Sequence, residues 1–467
     1  MTRIDRRDFG IGLTSLAFSG LALSGCAISG PAERAPAAGY GPLRPDPAGL
    51  LDLPRGFSYR VISQMGEHMD DGLRVPDRAD GMGAFRLDEH RTILVRNHEL
   101  KPEHRDAGAF ASGDASGPGF DSFSSGGLLP GGTTTLVYDQ RTGSVERQHL
   151  SLAGTIRNCA GGTTPWGSWL SCEEDVTTAG AGVTKDHGWV FEVPARGMGR
   201  VGAVPLKGLG RFNHEAAAVD PRTGIVYLTE DRDDSLLYRF LPAERGRLHR
   251  GGRLQALAFQ DRERSADMRN WSAPYLASRQ ALATRWIDLD GTDSAADDLR
   301  QRGHAKGAIL FARGEGIHYG RGADGRGELY FCCTSGGRAR LSQIMRYRPS
   351  ASEGRLGERD EPGEVEIFVE STNEAMLNFG DNITVAPTGH LIVCEDQYTE
   401  LVDNHLRGIT PAGEVYAFAR LHDQTELAGA CFSPSGSTMF VNLYSPARTL
   451  AIEGPWRAFQ APRAGFS

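Results

Sequence analysis

Three short apolar runs end in acidic pairs. Ile225-Val-Tyr-Leu-Thr is followed by Glu230-Asp231, Leu391-Ile-Val-Cys by Glu395-Asp396, and Trp169-Leu-Ser-Cys by Glu173-Glu174. Carboxylates crowded together raise one another's pKa unless cations neutralise them. Clusters of oxygen donors suit calcium or other hard cations. One such pair reads as a solvated strand end; three at matching places in a repeat read as a shared cation site.

Other residues sit in similar settings. Asn97-His98-Glu99 follows the apolar run Thr92 to Val95, and Asn213-His214-Glu215 precedes Ala216 to Val219. Asp381-Asn382 offers oxygen ligands or an Asx turn. Cys159 lies in Asn158-Cys-Ala-Gly-Gly-Thr-Thr-Pro-Trp166-Gly. It is either a packed thiol or, beside a metal, an ionised ligand. Arg313 stands two residues before Glu315, so on a strand both face the same way. A guanidinium there either forks onto a phosphate oxygen or closes a cross-strand ion pair.

The elements that must position these residues are short strands. Val219-Asp-Pro-Arg-Thr-Gly224, Val385-Ala-Pro-Thr-Gly389 and Phe432-Ser-Pro-Ser-Gly436 repeat one turn device, a Pro that sets φ followed by a Gly. Each precedes a short apolar strand: Ile225 to Leu228, Leu391 to Val393 and Met439 to Val441. Further strand-like runs are Thr134 to Tyr138, Trp189 to Val193, Ala308 to Ala312, Glu328 to Phe331 and Glu414 to Phe418. Imperfect repeats of roughly 40–50 residues point to an all-β propeller of about six blades, with short loop and helical insertions. A β-sandwich array is the alternative. Equivalent strand ends would meet around one axis, bringing the acidic pairs together. The polar stretch 255–303 is expected to hold a helical insertion, and 350–363 an exposed loop.

The first 26 residues read as an address. Arg6-Arg7-Asp8-Phe9 resembles a twin-arginine export signal, and Leu23-Ser24-Gly25-Cys26 a lipobox with Cys26 as the lipidated residue. An ordinary signal peptide containing a Cys is the alternative. Residues 27–50, rich in Pro, Ala and Gly, read as a flexible tether, and 51–467 as the folded domain. The expected location is periplasmic or cell-surface, with membrane contact through the lipid anchor only. The net charge of −8 and the lack of a basic stripe with interleaved aromatics exclude nucleic acid as a partner. No CxxC is present, which argues against a zinc ribbon.

The Cys159 block followed by Cys172-Glu173-Glu174 is similar to the PhoX alkaline phosphatase family. So are Asn97-His98-Glu99, His214-Glu215, Arg313-Gly-Glu315, Asp381-Asn382, Cys394-Glu395-Asp396, and the stretch from Phe432 to Glu453-Gly-Pro-Trp456. The likeness runs in order over nearly all of the chain after about Leu51. It implies a six-bladed propeller, twin-arginine export and a phosphomonoesterase with iron and calcium in the central channel. By motif position Cys159 would sit on a two-iron centre. Glu173 or Glu174, Glu215 and Glu315 would be metal ligands, Glu395 and Asp396 would serve calcium, and Arg313 would hold the phosphate. Small phosphate esters are the implied substrates, and a monomer is expected. The chain departs from the family in being shorter and in carrying the Cys26 lipobox. Two other readings share the fold: a non-catalytic calcium-stabilised propeller that binds a ligand or partner at the cell surface, and a single-calcium propeller acting on lactones or phosphotriesters.

Overall fold

The computed structural model describes residues 39–110, 115–261, 267–322, 324–397 and 399–457. The twin-arginine pair, Cys26 and residues 27–38 of the expected tether lie outside them.

The repeated Pro-Gly turns do what their sequence demands. Val219 ends the strand His214–Val219 and Val226 begins Val226–Glu230. Between them the Asp220 carboxylate accepts the Arg222 N–H and the Thr223 hydroxyl, both at 2.8 Å. Gly224 takes a positive φ of 78°, which a side chain would disfavour. The copies at 385–389 and 432–436 join strand pairs in the same way.

Hairpin after hairpin builds an all-β, propeller-like fold of five antiparallel sheets. One four-stranded sheet runs Ala79–Arg86, Arg91–His98, Gly131–Asp139, Ser144–Thr155. A three-stranded sheet follows: Asn158–Thr163, Ser168–Glu173, Val190–Pro194. The nine-stranded sheet has His214–Val219 at one edge and Gly314–Arg321 at the other, and Leu282–Asp288 bridges its two halves. The six-stranded sheet starts at Gly380–Val385 and ends with the N-terminal strands Leu51–Pro54 and Leu43–Arg44. The last sheet, Leu427–Phe432, Thr438–Leu443 and Arg448–Glu453, is completed by Ser58–Gln64 from the other end of the chain, which closes the ring. The six strands that start at Ala79, Asn158, His214, Gly314, Gly380 and Leu427 each pack against the next and surround one axis. Apolar side chains fill the spaces between sheets, so each sheet is covered on both faces.

Four expectations change. Residues 39–50 are docked, not loose: Tyr40 packs edge-on to Phe57, Phe418 and Trp456 at 5.0–6.0 Å, and Leu43–Arg44 pairs with Leu51–Pro54. Aromatic burial outweighs the small-residue composition that suggested a tether. The Ala308–Ala312 run makes only isolated bridges, because Ser235, Ala258 and Asp267 each meet it at a single point. The stretch 255–303 holds the strand Leu282–Asp288 and the start of one short helix, Leu299–Ala305. The loop 350–363 is anchored inward by Glu353, whose carboxylate accepts the Tyr227 and Tyr347 hydroxyls and pairs with Arg239. All six described cysteines are buried and free.

Candidate metal centre

Each inner strand shifts register at the same point, between Ala79 and Met82, Asn158 and Gly161, His214 and Ala217, Gly314 and Ile317, Gly380 and Ile383, and Ala428 and Cys431. Such a bulge re-aims one side chain out of the sheet. The residues so placed are Asp80, Cys159, Glu215, Glu315, Asp381 and Gly429. All but one of the residues that follow, Asn382 being the exception, are Gly or Ala, because the strands nearly touch. A Cβ on Gly81 would stand 2.4 Å from the Ala160 Cα, and one on Gly316 2.7 Å from the Asn382 Cα.

The second strand of each unit contributes the residue just beyond its last pair. Glu99, Glu174, Asp231 and Asp396 arise this way and line a cavity of about 510 Å³ with Asp80, Cys159, Glu315, Asp381 and Glu426. The preceding acids point the opposite way, as strand alternation requires. Glu173 accepts the backbone N–H groups of Ile156, Gly188 and Trp189 and meets His187 Nδ1 at 2.7 Å. Glu395 accepts the N–H of Asn378 and of His405 and the Arg407 Nε. Both are spent on tying chain segments together, so Glu174 and Asp396, not Glu173 and Glu395, face the cavity.

The two Asn-His-Glu copies occupy different strands. Glu99 ends a second strand, whereas Glu215 sits on a bulge. Their histidines are structural: His98 contacts the Asp77 carbonyl and the Thr134 hydroxyl at 2.9 Å, and His214 Nε2 meets the Gly210 carbonyl at 3.0 Å. Asn97 braces the Cys159 strand through the Cys159 and Ala160 carbonyls.

Three groups of donors each lie within 4.8 Å of one another: Glu99, Cys159 and Glu174; Glu215, Glu315 and Asp381; Asp381, Asp396 and Glu426. Arg157 pairs with Glu99 at 2.7 Å and Glu174 at 2.6 Å. Arg313 pairs with Asp231 at 2.7 Å and Glu315 at 2.8 Å. The Cys159 thiol donates to Asp80 at 3.2 Å.

The sequence profile of the alkaline phosphatase PhoX family matches residues 38–137 and 129–447. The chain belongs to the PhoX family. Membership in it makes the chain a phosphatase. The fold is similar to that of Pseudomonas fluorescens PhoX in complex with vanadate, a transition state analogue: 18% identity, TM-score 0.67, covering 90% of this chain and 98% of that one. A gluconolactonase from Xanthomonas campestris aligns at 11% identity and TM-score 0.43, over 89% of this chain and 98% of its own. No curated protein sequence matches.

The donors of this PhoX chain fit metal ions. Neither oxygen of Glu215 nor Oδ1 of Asp80 meets a hydrogen-bond donor among the described residues, although both residues are buried. Burial first, then neighbouring carboxylates, push Asp80, Glu215 and Glu315 well above the usual range. Burial and Asp396 lift Asp381 to about 7. Burial and Asp80 raise the Cys159 thiol. Asp231 goes down despite its burial, because Arg313 holds its charge. Four basic side chains, Arg78, Lys101, Arg157 and Arg313, do not neutralise nine carboxylates, whereas bound cations would. Asp80 carries no motif of its own although Ala79-Asp80-Gly81 stands where Asn158-Cys159-Ala160 does; the Gly or Ala that follows Asp80, Cys159, Glu215 and Glu315 is the signal the sequence offers. Glu426 had none, since it precedes its strand.

Proposed function

We propose that the chain hydrolyses phosphate monoesters at a metal cluster held by Asp80, Cys159, Glu215, Glu315 and Asp381. The observation that carries this is positional: five of six bulges on strands far apart in sequence aim an acid or a thiol at one axis. We count the architecture as six blades, dividing the nine-stranded sheet at Leu282–Asp288.

The thiolate-containing group suits a transition metal such as iron, and the oxygen-only groups suit calcium. Bound there, the cations supply Lewis-acid polarisation and a nucleophile at moderate pH. Glu99 and Glu174 fix Arg157, and Asp231 and Glu315 fix Arg313, so both guanidiniums meet a phosphate without reorganising. Arg313 neutralises charge that builds on the equatorial phosphoryl oxygens. Burial of Asp80, Cys159, Glu215 and Glu315 limits solvent screening and keeps these interactions strong.

The leading 26 residues suit export through the twin-arginine route and anchoring at Cys26. Cys26→Ser is then expected to move the protein from the membrane to the soluble fraction after export.

The test is hydrolysis of p-nitrophenyl phosphate before and after chelation. Loss on chelation and recovery with iron plus calcium supports the reading. Turnover that survives complete metal removal would falsify it.

A further inference from the structure

One side of the cavity is basic. The segment Glu99 to Lys101 runs between two arginines: the Glu99 N–H donates to the Arg78 carbonyl at 2.9 Å, and the Arg157 N–H to the Leu100 carbonyl at 3.0 Å. The Lys101 N–H donates to His104 Nδ1 at 3.1 Å, which brings His104 to the same wall. Arg78, Arg157 and Arg313 each stand one residue before an inner strand and each take a left-handed backbone, with φ of 53°, 45° and 54°. That conformation costs a non-glycine residue energy and persists where the surroundings enforce it.

The three arginines are not equivalent. Arg157 and Arg313 are committed to carboxylates of the metal centre. Arg78 donates to the Tyr444 hydroxyl at 3.2 Å, and its Nε meets no acceptor. Neither Arg78 nor Lys101 is in an ion pair among the described residues, although eight carboxylates line the same cavity. Tyr444 also donates to Glu99, so this cationic pair adjoins the Glu99, Cys159 and Glu174 group. Two cations without carboxylate partners, half-buried beside a phosphate position, call for an anion of their own.

We propose that Arg78 and Lys101 form a second anion subsite, so that the preferred substrates carry a second phosphate group close to the ester that is cleaved. The inference rests on the phosphatase reading for the place of the first phosphate. Arg78 forks onto the second group and Lys101 supplies a mobile point charge. Substrates with a single phosphate bind without using either.

The probes are methylphosphonate and methylenediphosphonate, neither of which is hydrolysed. Their affinities are measured by calorimetry on the metal-loaded full chain. The wild type is expected to favour the diphosphonate by about tenfold or more. Lys101→Met lowers that preference at least about fivefold, and Lys101→Arg keeps it. A preference that survives Lys101→Met belongs to the metals and overturns the assignment, as does equal binding of both probes by the wild type. Wild type that keeps the preference, loses it in Lys101→Met, yet cleaves neither p-nitrophenyl phosphate nor a sugar bisphosphate, supports the subsite and retires the monoester reading of the metal centre.

Discussion

Replacing Glu215 by glutamine removes a buried charge whose two oxygens meet no hydrogen-bond donor of good geometry among the described residues. The fold does not need that charge, so Glu215→Gln is expected to fold, lose at least about tenfold in metal affinity and lose activity with it. Arg313→Ala acts differently. It is expected to retain metal while kcat/KM falls on the order of a hundredfold, and Arg313→Lys restores little because lysine lacks the fork. Metal content and kcat/KM measured side by side separate the two. At this scale the sequence revealed which residue types matter but not which member of a pair. A strand slip of one residue exchanges its two faces. Glu173 and Glu174 therefore read alike until the register Asn158 to Glu173 turned Glu174 towards the axis. Glu395 and Asp396 both read as calcium ligands for the same reason, and only Asp396 lines the cavity. Cys159 stood out because its glycine-rich block is specific, whereas Asp80 sits among ordinary residues.

The strands were legible wherever a turn announced them. The runs starting at Thr134 and Glu328 fall within Gly131–Asp139 and Gly327–Cys333, and the run from Glu414 to Phe418 overlaps Val415–Leu421. What local pattern could not give was closure, since Ser58–Gln64 pairs with Arg448–Glu453 across most of the chain. The same holds for the docked N-terminal segment, whose partners Phe418 and Trp456 are far away in sequence. Trp456 packs against Phe57, Phe418 and Phe432 at 4.8–5.0 Å and is 2% exposed. Trp456→Ala is expected to cost about 3–5 kcal/mol, read as an earlier urea midpoint with activity intact until unfolding. The bulges were invisible because one extra residue per strand leaves no composition cue; only the Gly or Ala after four of the five donors marks them.

Across the whole molecule, the crowded acids make stability depend on the cations. In metal-free protein Asp381 titrates at about 7 against an ordinary 3.8. The folded form then holds a proton that the unfolded chain releases. Its contribution is complete below about pH 4 and disappears as pH rises through about 7. Asp80, Glu215 and Glu315 shift in the same direction. Metal-free protein is accordingly expected to melt at a higher temperature at pH 5 than at pH 8. Metal-loaded protein is expected to show the smaller pH dependence, since its carboxylates stay ionised against the cations. A metal-free Tm that rises from pH 5 to pH 8 would contradict the clustering of these acids.

The metal content of the axis is the most direct measure of what these donors hold. Elemental analysis of the protein isolated from its native host, with turnover measured on the same sample, is expected to find iron together with calcium in excess of one equivalent. Glu215→Gln should show less of both. Active protein with neither metal, or with calcium alone, would contradict it.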